Sequence, residues 1–161
     1  MVYIVFDSKA IGDTLAWIPY VEEFRKKHNC EVVCTTFWNR LFKEQYTDIE
    51  FIEPGSKFTI SSGIPSYEIG WFYDEVENPN DVRTIPLQQT ASDILGLDYK
   101  EIRPKIDISN KRRVIHEKYV CIAIQATTQI KYWNCKDGWR KTVDYLNEKG
   151  YKVVCIDCKK V

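Results

Sequence analysis

Two short polar stretches carry the residues whose types and spacing can do chemistry. The first is Asp7-Ser8-Lys9-Ala10-Ile11-Gly12-Asp13-Thr14, and the second is Gln125-Ala126-Thr127-Thr128-Gln129-Ile130-Lys131-Tyr132-Trp133-Asn134. A carboxylate such as Asp13 can take the proton of an acceptor hydroxyl as a general base. Gly12 lets the backbone turn tightly or come close to a ligand. In the second stretch, a lysine with hydroxyls beside a helix N-terminus suits a diphosphate, because the ammonium and the backbone donors neutralise developing negative charge. Each stretch also has a plainly structural reading: Asp13 as a helix cap and Lys131 as a surface lysine. Lys9 can approach a phosphate or face solvent. There is no Walker-type Gly-x-x-x-x-Gly-Lys-Ser/Thr and no Gly-x-Gly-x-x-Gly, so P-loop and dinucleotide-dehydrogenase readings lose support.

The surrounding elements explain why these stretches are exposed for chemistry. The apolar, β-branched run at residues 2–6 reads as a buried strand feeding the first stretch. An amphipathic helix with Leu15, Ile18, Val21 and a cationic last turn follows it. A second strand at residues 30–36, a short helix at 39–46 capped by Asn39, and a third strand at 49–53 ending at Pro54-Gly55 continue the alternation. This β-α-β-α-β order predicts a parallel sheet with crossover helices. A further strand spans 67–74, and its aromatics Trp71, Phe72 and Tyr73 read as core. A helix from Pro86 to Leu95 stops at Gly96. Residues 119–124, 137–149 and 152–157 then form one β-α-β unit around the second stretch. Two strand-loop-helix designs facing each other across a linker would make a cleft, a common place for ligands. The expected organisation is one Rossmann-like α/β domain at 1–98, a linker at 99–117, and the incomplete start of a second such domain at 118–161.

Composition narrows the class. With 161 residues, 44% hydrophobic and 14% aromatic, the chain sits among globular proteins. Its 23 basic and 23 acidic residues cancel, so bulk charge points to neither nucleic acid nor a membrane surface as partner. No apolar run is long enough to span a bilayer and no signal peptide is visible, which implies a cytoplasmic location. Cys30, Cys34, Cys121 and Cys155 lie in or beside β-rich runs and read as small buried hydrophobes. Cys155-x-x-Cys158 has redox or metal spacing but no helix after it, so it reads as incidental and no metal ligands are assigned. His28 and His116 fit a helix C-terminus and a linker. The basic triplet Lys111-Arg112-Arg113 reads as a solvated face.

Gly12-Asp13-Thr14-Leu15 with Pro19, and Thr127-Thr128-x-x-Lys131-x-Trp133 with Trp139, resemble the heptosyltransferase-like glycosyltransferases of the GT-B fold. Three longer stretches, at 6–20, 69–74 and 86–97, are similar to the bacterial autotransporter O-heptosyltransferases of glycosyltransferase family 9. The resemblance implies an α/β, GT-B type protein with a Rossmann-like parallel sheet, plus the first β-α-β unit of a second such domain. It implies that Asp13 activates a serine hydroxyl of an autotransporter passenger protein, and that Lys131, Thr127 and Thr128 hold the diphosphate of an ADP-heptose donor. It further implies a homo-oligomer with a cysteine-bound iron whose ligands lie beyond residue 161. The chain then corresponds to the N-terminal part of a longer bacterial enzyme. Three other functions stay open: a non-catalytic module that binds acceptor or intact enzyme, a lipopolysaccharide-type heptosyltransferase relative, and another nucleotide-sugar or nucleotide-binding α/β protein that shares the fold but not the chemistry.

Overall fold

The computed structural model describes residues 1–56, 63–106, 112–126 and 128–156. The chain divides into two compact units, Met1–Ser109 and Asn110–Val161. In the first, the expected N-terminal strand forms as β1 (Val2–Phe6), with Val2, Ile4 and Phe6 buried in alternation. Helix α1 (Ile11–His28), β2 (Val32–Thr35), β3 (Ile49–Phe51), β4 (Ser66–Ile69) and helix α2 (Leu87–Ile94) follow. The strands pair in parallel in the order β3-β2-β1-β4. The chain therefore lays β2 and β3 on one side of β1 and crosses back to lay β4 on the other. Open α/β sheets bind ligands at such a reversal, outside the carboxyl ends of the strands.

Helix α1 departs from the one-sided amphipathic helix that its sequence predicts. Trp17, Ile18, Pro19, Tyr20 and Val21 are buried in succession, so its middle is covered around most of the circumference. One side joins Val2, Ile4 and Phe6 in the core. Another meets α2, where Trp17 Nε1 donates to the Leu87 carbonyl at 3.0 Å. A third is covered by the segment after α2, where the Tyr20 hydroxyl donates to the Lys100 carbonyl at 2.7 Å. Burial, with a smaller contribution from Tyr99, pushes that hydroxyl up to about 12, so it remains a donor at neutral pH. The same segment is pinned again where the Lys105 N–H donates to the Tyr46 hydroxyl at 2.9 Å. Packing on three sides offsets the cost of Pro19 inside the helix, about 3 kcal/mol for a lost backbone bond and a ring clash.

Two elements are shorter than their sequences predict. Residues 39–46 hold only a 3-10 turn, Asn39–Leu41, and Asn39 caps no helix. Its buried side chain accepts from the Thr36 N–H and hydroxyl, both at 2.9 Å, and donates to the Ile52 carbonyl at 2.8 Å. It ties the loop after β2 to the residue following β3, and these bonds compete with helix formation. β4 ends at Ile69, so Trp71, Phe72 and Tyr73 leave the sheet. Trp71 is 39% exposed and Tyr73 65%, which corrects the core reading of this aromatic run.

The second unit contains β5 (Tyr119–Ile122), α3 (Gly138–Glu148) and β6 (Lys152–Cys155), with β5 and β6 parallel. Gly150, at φ 79, supplies the left-handed turn after α3. Cys34 is buried in β2, and burial pushes its thiol up. Cys121 and Cys155 are exposed, against the expectation of buried thiols. Among the described residues their sheet has two strands, and no side chain on either is fully buried. Cys158 and Lys111 lie outside the described residues. No helix among the described residues is long and apolar enough to cross a membrane.

Candidate functional site

The carboxyl ends of β1 and β4 stay joined past the last strand residue, because the Asp7 N–H donates to the Ile69 carbonyl at 3.0 Å. Two loops leave from this junction, Asp7-Ser8-Lys9-Ala10 and Gly70-Trp71. Gly70 permits their close approach: a Cβ there would meet the Phe72 ring at 3.0 Å and Asp7 Cβ at 3.2 Å. The first loop turns directly into α1, whose N-cap is Ala10.

Asp13 is therefore the third residue of α1, and it does not cap it. Its half-buried side chain makes two other bonds, both at Oδ2. The Ser8 hydroxyl donates at 2.5 Å and Trp71 Nε1 donates at 2.9 Å. No side chain caps the helix, and the Ser8 hydroxyl oxygen instead holds the loop by accepting the Ala10 N–H at 3.1 Å. Gly12 is likewise helical and exposed, so it makes no tight turn. A Cβ at Gly12 would meet nothing within 4 Å, which leaves the space above the first turn open. Asp13 lies in the first turn of α1, at the positive end of the helix dipole.

Trp71 rests on a line of buried aromatics. Its ring lies 6.2 Å from that of Trp17, which meets Phe6 edge-on at 5.7 Å. Lys9 is exposed and stands over the Phe37 ring at 5.4 Å, while its carbonyl accepts from Trp38 Nε1 at 2.9 Å. Neither Ser8 nor Trp71 stood out in the sequence as a site residue. The signal for Trp71 was Gly70 inside the strand-like run at 67–74, a residue that weakens a strand interior and lets the chain leave the sheet.

In the second unit, Thr128 precedes a 3-10 turn, Gln129–Lys131, and both Thr128 and Lys131 are exposed. Thr127 lies outside the described residues. A cavity of about 420 Å³ lined by Ala126, Gln129, Tyr132 and Asn134 adjoins this turn. Helix α3 begins after Asp137, which holds a left-handed φ of 57 and pairs with Arg140 at 3.0 Å. Trp133 packs edge-on against Trp139 at 5.1 Å, directly over the buried Gly138. A Cβ on Gly138 would meet Cys135 Cβ and Trp133 Cη2, each at 2.9 Å. Gly138→Ala should therefore cost about 1–3 kcal/mol by overpacking, read as a loss of thermal stability and of the near-ultraviolet signal of Trp133.

Among the described residues no group of three or more His, Cys, Asp or Glu is placed to hold a metal ion. They do not fit an iron site, and no step below uses one. A groove of about 250 Å³ lined by Tyr20, Glu23, Lys27 and Lys100 lies on the C-terminal half of α1, away from Asp13. Three of its charged groups are engaged: Lys100 pairs with Glu23 at 2.7 Å, and Lys27 donates to the Gly96 carbonyl at 3.0 Å.

A parallel α/β sheet with a clamped carboxylate at its strand-order reversal defines a Rossmann-like protein with its ligand edge at the carboxyl ends. No family model matches the chain. Individual proteins do. The chain is 40% identical over 162 residues to the autotransporter heptosyltransferase Aah of Escherichia coli, covering 97% of this chain and 40% of that protein. It is 38% identical to the autotransporter heptosyltransferase TibC of Escherichia coli O78:H11, covering 97% and 39%. It is also 30% identical to the inactive autotransporter heptosyltransferase BimC of Burkholderia thailandensis, covering 97% and 38%. The crystal structure of TibC, an iron-containing dodecameric glycosyltransferase, superposes with a TM-score of 0.88 at 37% identity, over 98% of this chain and 42% of that one. TibC in complex with ADP-D-beta-D-heptose superposes with a TM-score of 0.89. The chain belongs to the autotransporter heptosyltransferase family. It spans about 40% of the length of the curated relatives it matches.

Proposed function

We propose that this protein serves the transfer of heptose from ADP-heptose to serine hydroxyls of an autotransporter passenger protein. The observation that carries the reading is Asp13, a half-buried carboxylate held at the strand-order reversal, with one oxygen bonded twice and the other without a hydrogen-bond partner among the described residues. In the proposed step the serine oxygen bonds to the anomeric carbon as the bond from that carbon to the β-phosphate oxygen breaks. The electron pair leaves with ADP, and the serine proton passes to Asp13. Lys131, with Thr127 and Thr128, supports the charge that develops on the departing diphosphate. Association of several copies belongs to the same proposal, as the relative TibC is dodecameric.

The test is incubation of the protein, as its gene encodes it, with ADP-heptose and an autotransporter passenger fragment. Mass spectrometry should find serines carrying one heptose residue each. An unmodified fragment, under conditions where Aah modifies it, would overturn the reading. Lys131→Ala should weaken ADP binding roughly tenfold to a hundredfold by calorimetry, the effect of losing one charge-assisted contact. A second reading has its own observation, since the relative BimC is an inactive family member. On that reading the protein binds acceptor or active enzyme without transferring sugar. Co-purification with either, in the absence of modified serines, would favour it.

A further inference from the structure

The bonds around Asp13 are distributed unevenly. Oδ2 receives both the Ser8 hydroxyl and the Trp71 indole N–H, whereas Oδ1 has no hydrogen-bond partner among the described residues. The two donors come from the two loops that leave the joined ends of β1 and β4, so the carboxylate is fixed from both sides of the strand-order reversal. A carboxylate bonded through one oxygen by two donors in different directions cannot rotate freely about its Cβ–Cγ bond without losing one of them. We infer that Trp71 and Ser8 are positioning residues that clamp Oδ2 and so present Oδ1 as the atom that receives the acceptor proton. The inference rests on the proposed role of Asp13 as base and adds which oxygen acts and what holds it.

The arrangement around Trp71 supports a rigid clamp. Its ring is backed by Trp17, which is fully buried and itself bonded to the Leu87 carbonyl. Gly70 allows the loop to lie close against Asp7, bringing the indole N–H within reach of α1. Ser8 is held in turn by the Ala10 N–H, so its hydroxyl hydrogen is directed at Asp13 and not at solvent. Pre-orientation of a base matters because general-base catalysis depends on short, aligned contact with the proton to be moved.

The test uses Trp71→Phe, which keeps an aromatic ring against Trp17 and removes the N–H donor, together with Ser8→Ala and the double variant. All are assayed for serine glycosylation in the protein as its gene encodes it. Each single variant should lower kcat by about tenfold while leaving the KM for ADP-heptose unchanged. The double variant should lose less than the product of the two, because either loss already frees the carboxylate. Unchanged kcat in Trp71→Phe, a multiplicative loss in the double variant, or a rise in donor KM in place of a fall in kcat would overturn the clamp. Asp13→Asn separates this from failure of the underlying reading. If it retains wild-type transfer, the base assignment itself is wrong. If it abolishes transfer while Trp71→Phe is silent, only the clamp is.

Discussion

Asp13→Asn should lower kcat for serine glycosylation about a thousandfold, inside the 10²–10⁴ range expected when a general base is removed. Asparagine has nearly the same shape and its amide oxygen can still accept from Ser8 and Trp71, so the loops should stay in place. What it cannot do is take a proton at the second oxygen position, which becomes an NH₂ group. The KM for ADP-heptose should be unchanged, because the proposed phosphate contacts belong to Lys131, Thr127 and Thr128. Steady-state kinetics with mass-spectrometric detection checks both numbers. A loss of less than about tenfold would remove Asp13 as the base, since so small an effect is within the range of a lost positioning contact.

The largest expected effect on stability is at Trp17. Its side chain is fully buried between Phe6 and Trp71, and its Nε1 bonds the Leu87 carbonyl. Trp17→Ala should cost about 3–5 kcal/mol, combining lost burial, the cavity left behind and an unpaired carbonyl. Against a typical total of about 5–15 kcal/mol, that is enough to leave the variant near its unfolding threshold at physiological temperature. Trp17→Phe should cost less, because it keeps most of the apolar volume. Urea denaturation followed by circular dichroism distinguishes the two. An alanine variant as stable as the phenylalanine variant would mean that the site collapses on mutation, and that Trp17 does not hold α1 and α2 together.

The comparison with BimC sets a limit on what membership of the family carries. A relative 30% identical over the same span is inactive, so sequence similarity over this span does not by itself carry transfer. In this chain the setting of Asp13 involves Ser8 five residues before it and Trp71 fifty-eight after it. Asp13 and Trp17 are structurally linked, because Trp71, which donates to Asp13, rests on the Trp17 ring.

Hydrophobic pattern and turn residues alone determined most of the layout. The run at residues 2–6 is apolar and β-branched, so it forms a buried strand, and α1 ends at a cationic turn as its sequence predicts. Gly96 and Gly150 stop their helices with positive φ because glycine has no Cβ to oppose it. The alternation of strands and helices was enough for a parallel α/β sheet, and Asp13 was legible as the carboxylate following the first strand. The sequence also placed Lys131 in a polar stretch before a helix.

Other features were decided only in three dimensions. Local pattern made Asp13 a cap, since an acidic residue near a helix start usually is one. The fold places the helix start three residues earlier and gives the carboxylate to donors from two separate loops. Trp71 looked like core because aromatics in a strand-like run usually are, yet β4 ends at Ile69 and its loop turns toward Asp7. Such a contact depends on the order in which β1 and β4 are laid side by side. Strand order is a long-range property, set by which crossovers pack best on the sheet, and no window of neighbouring residues contains it.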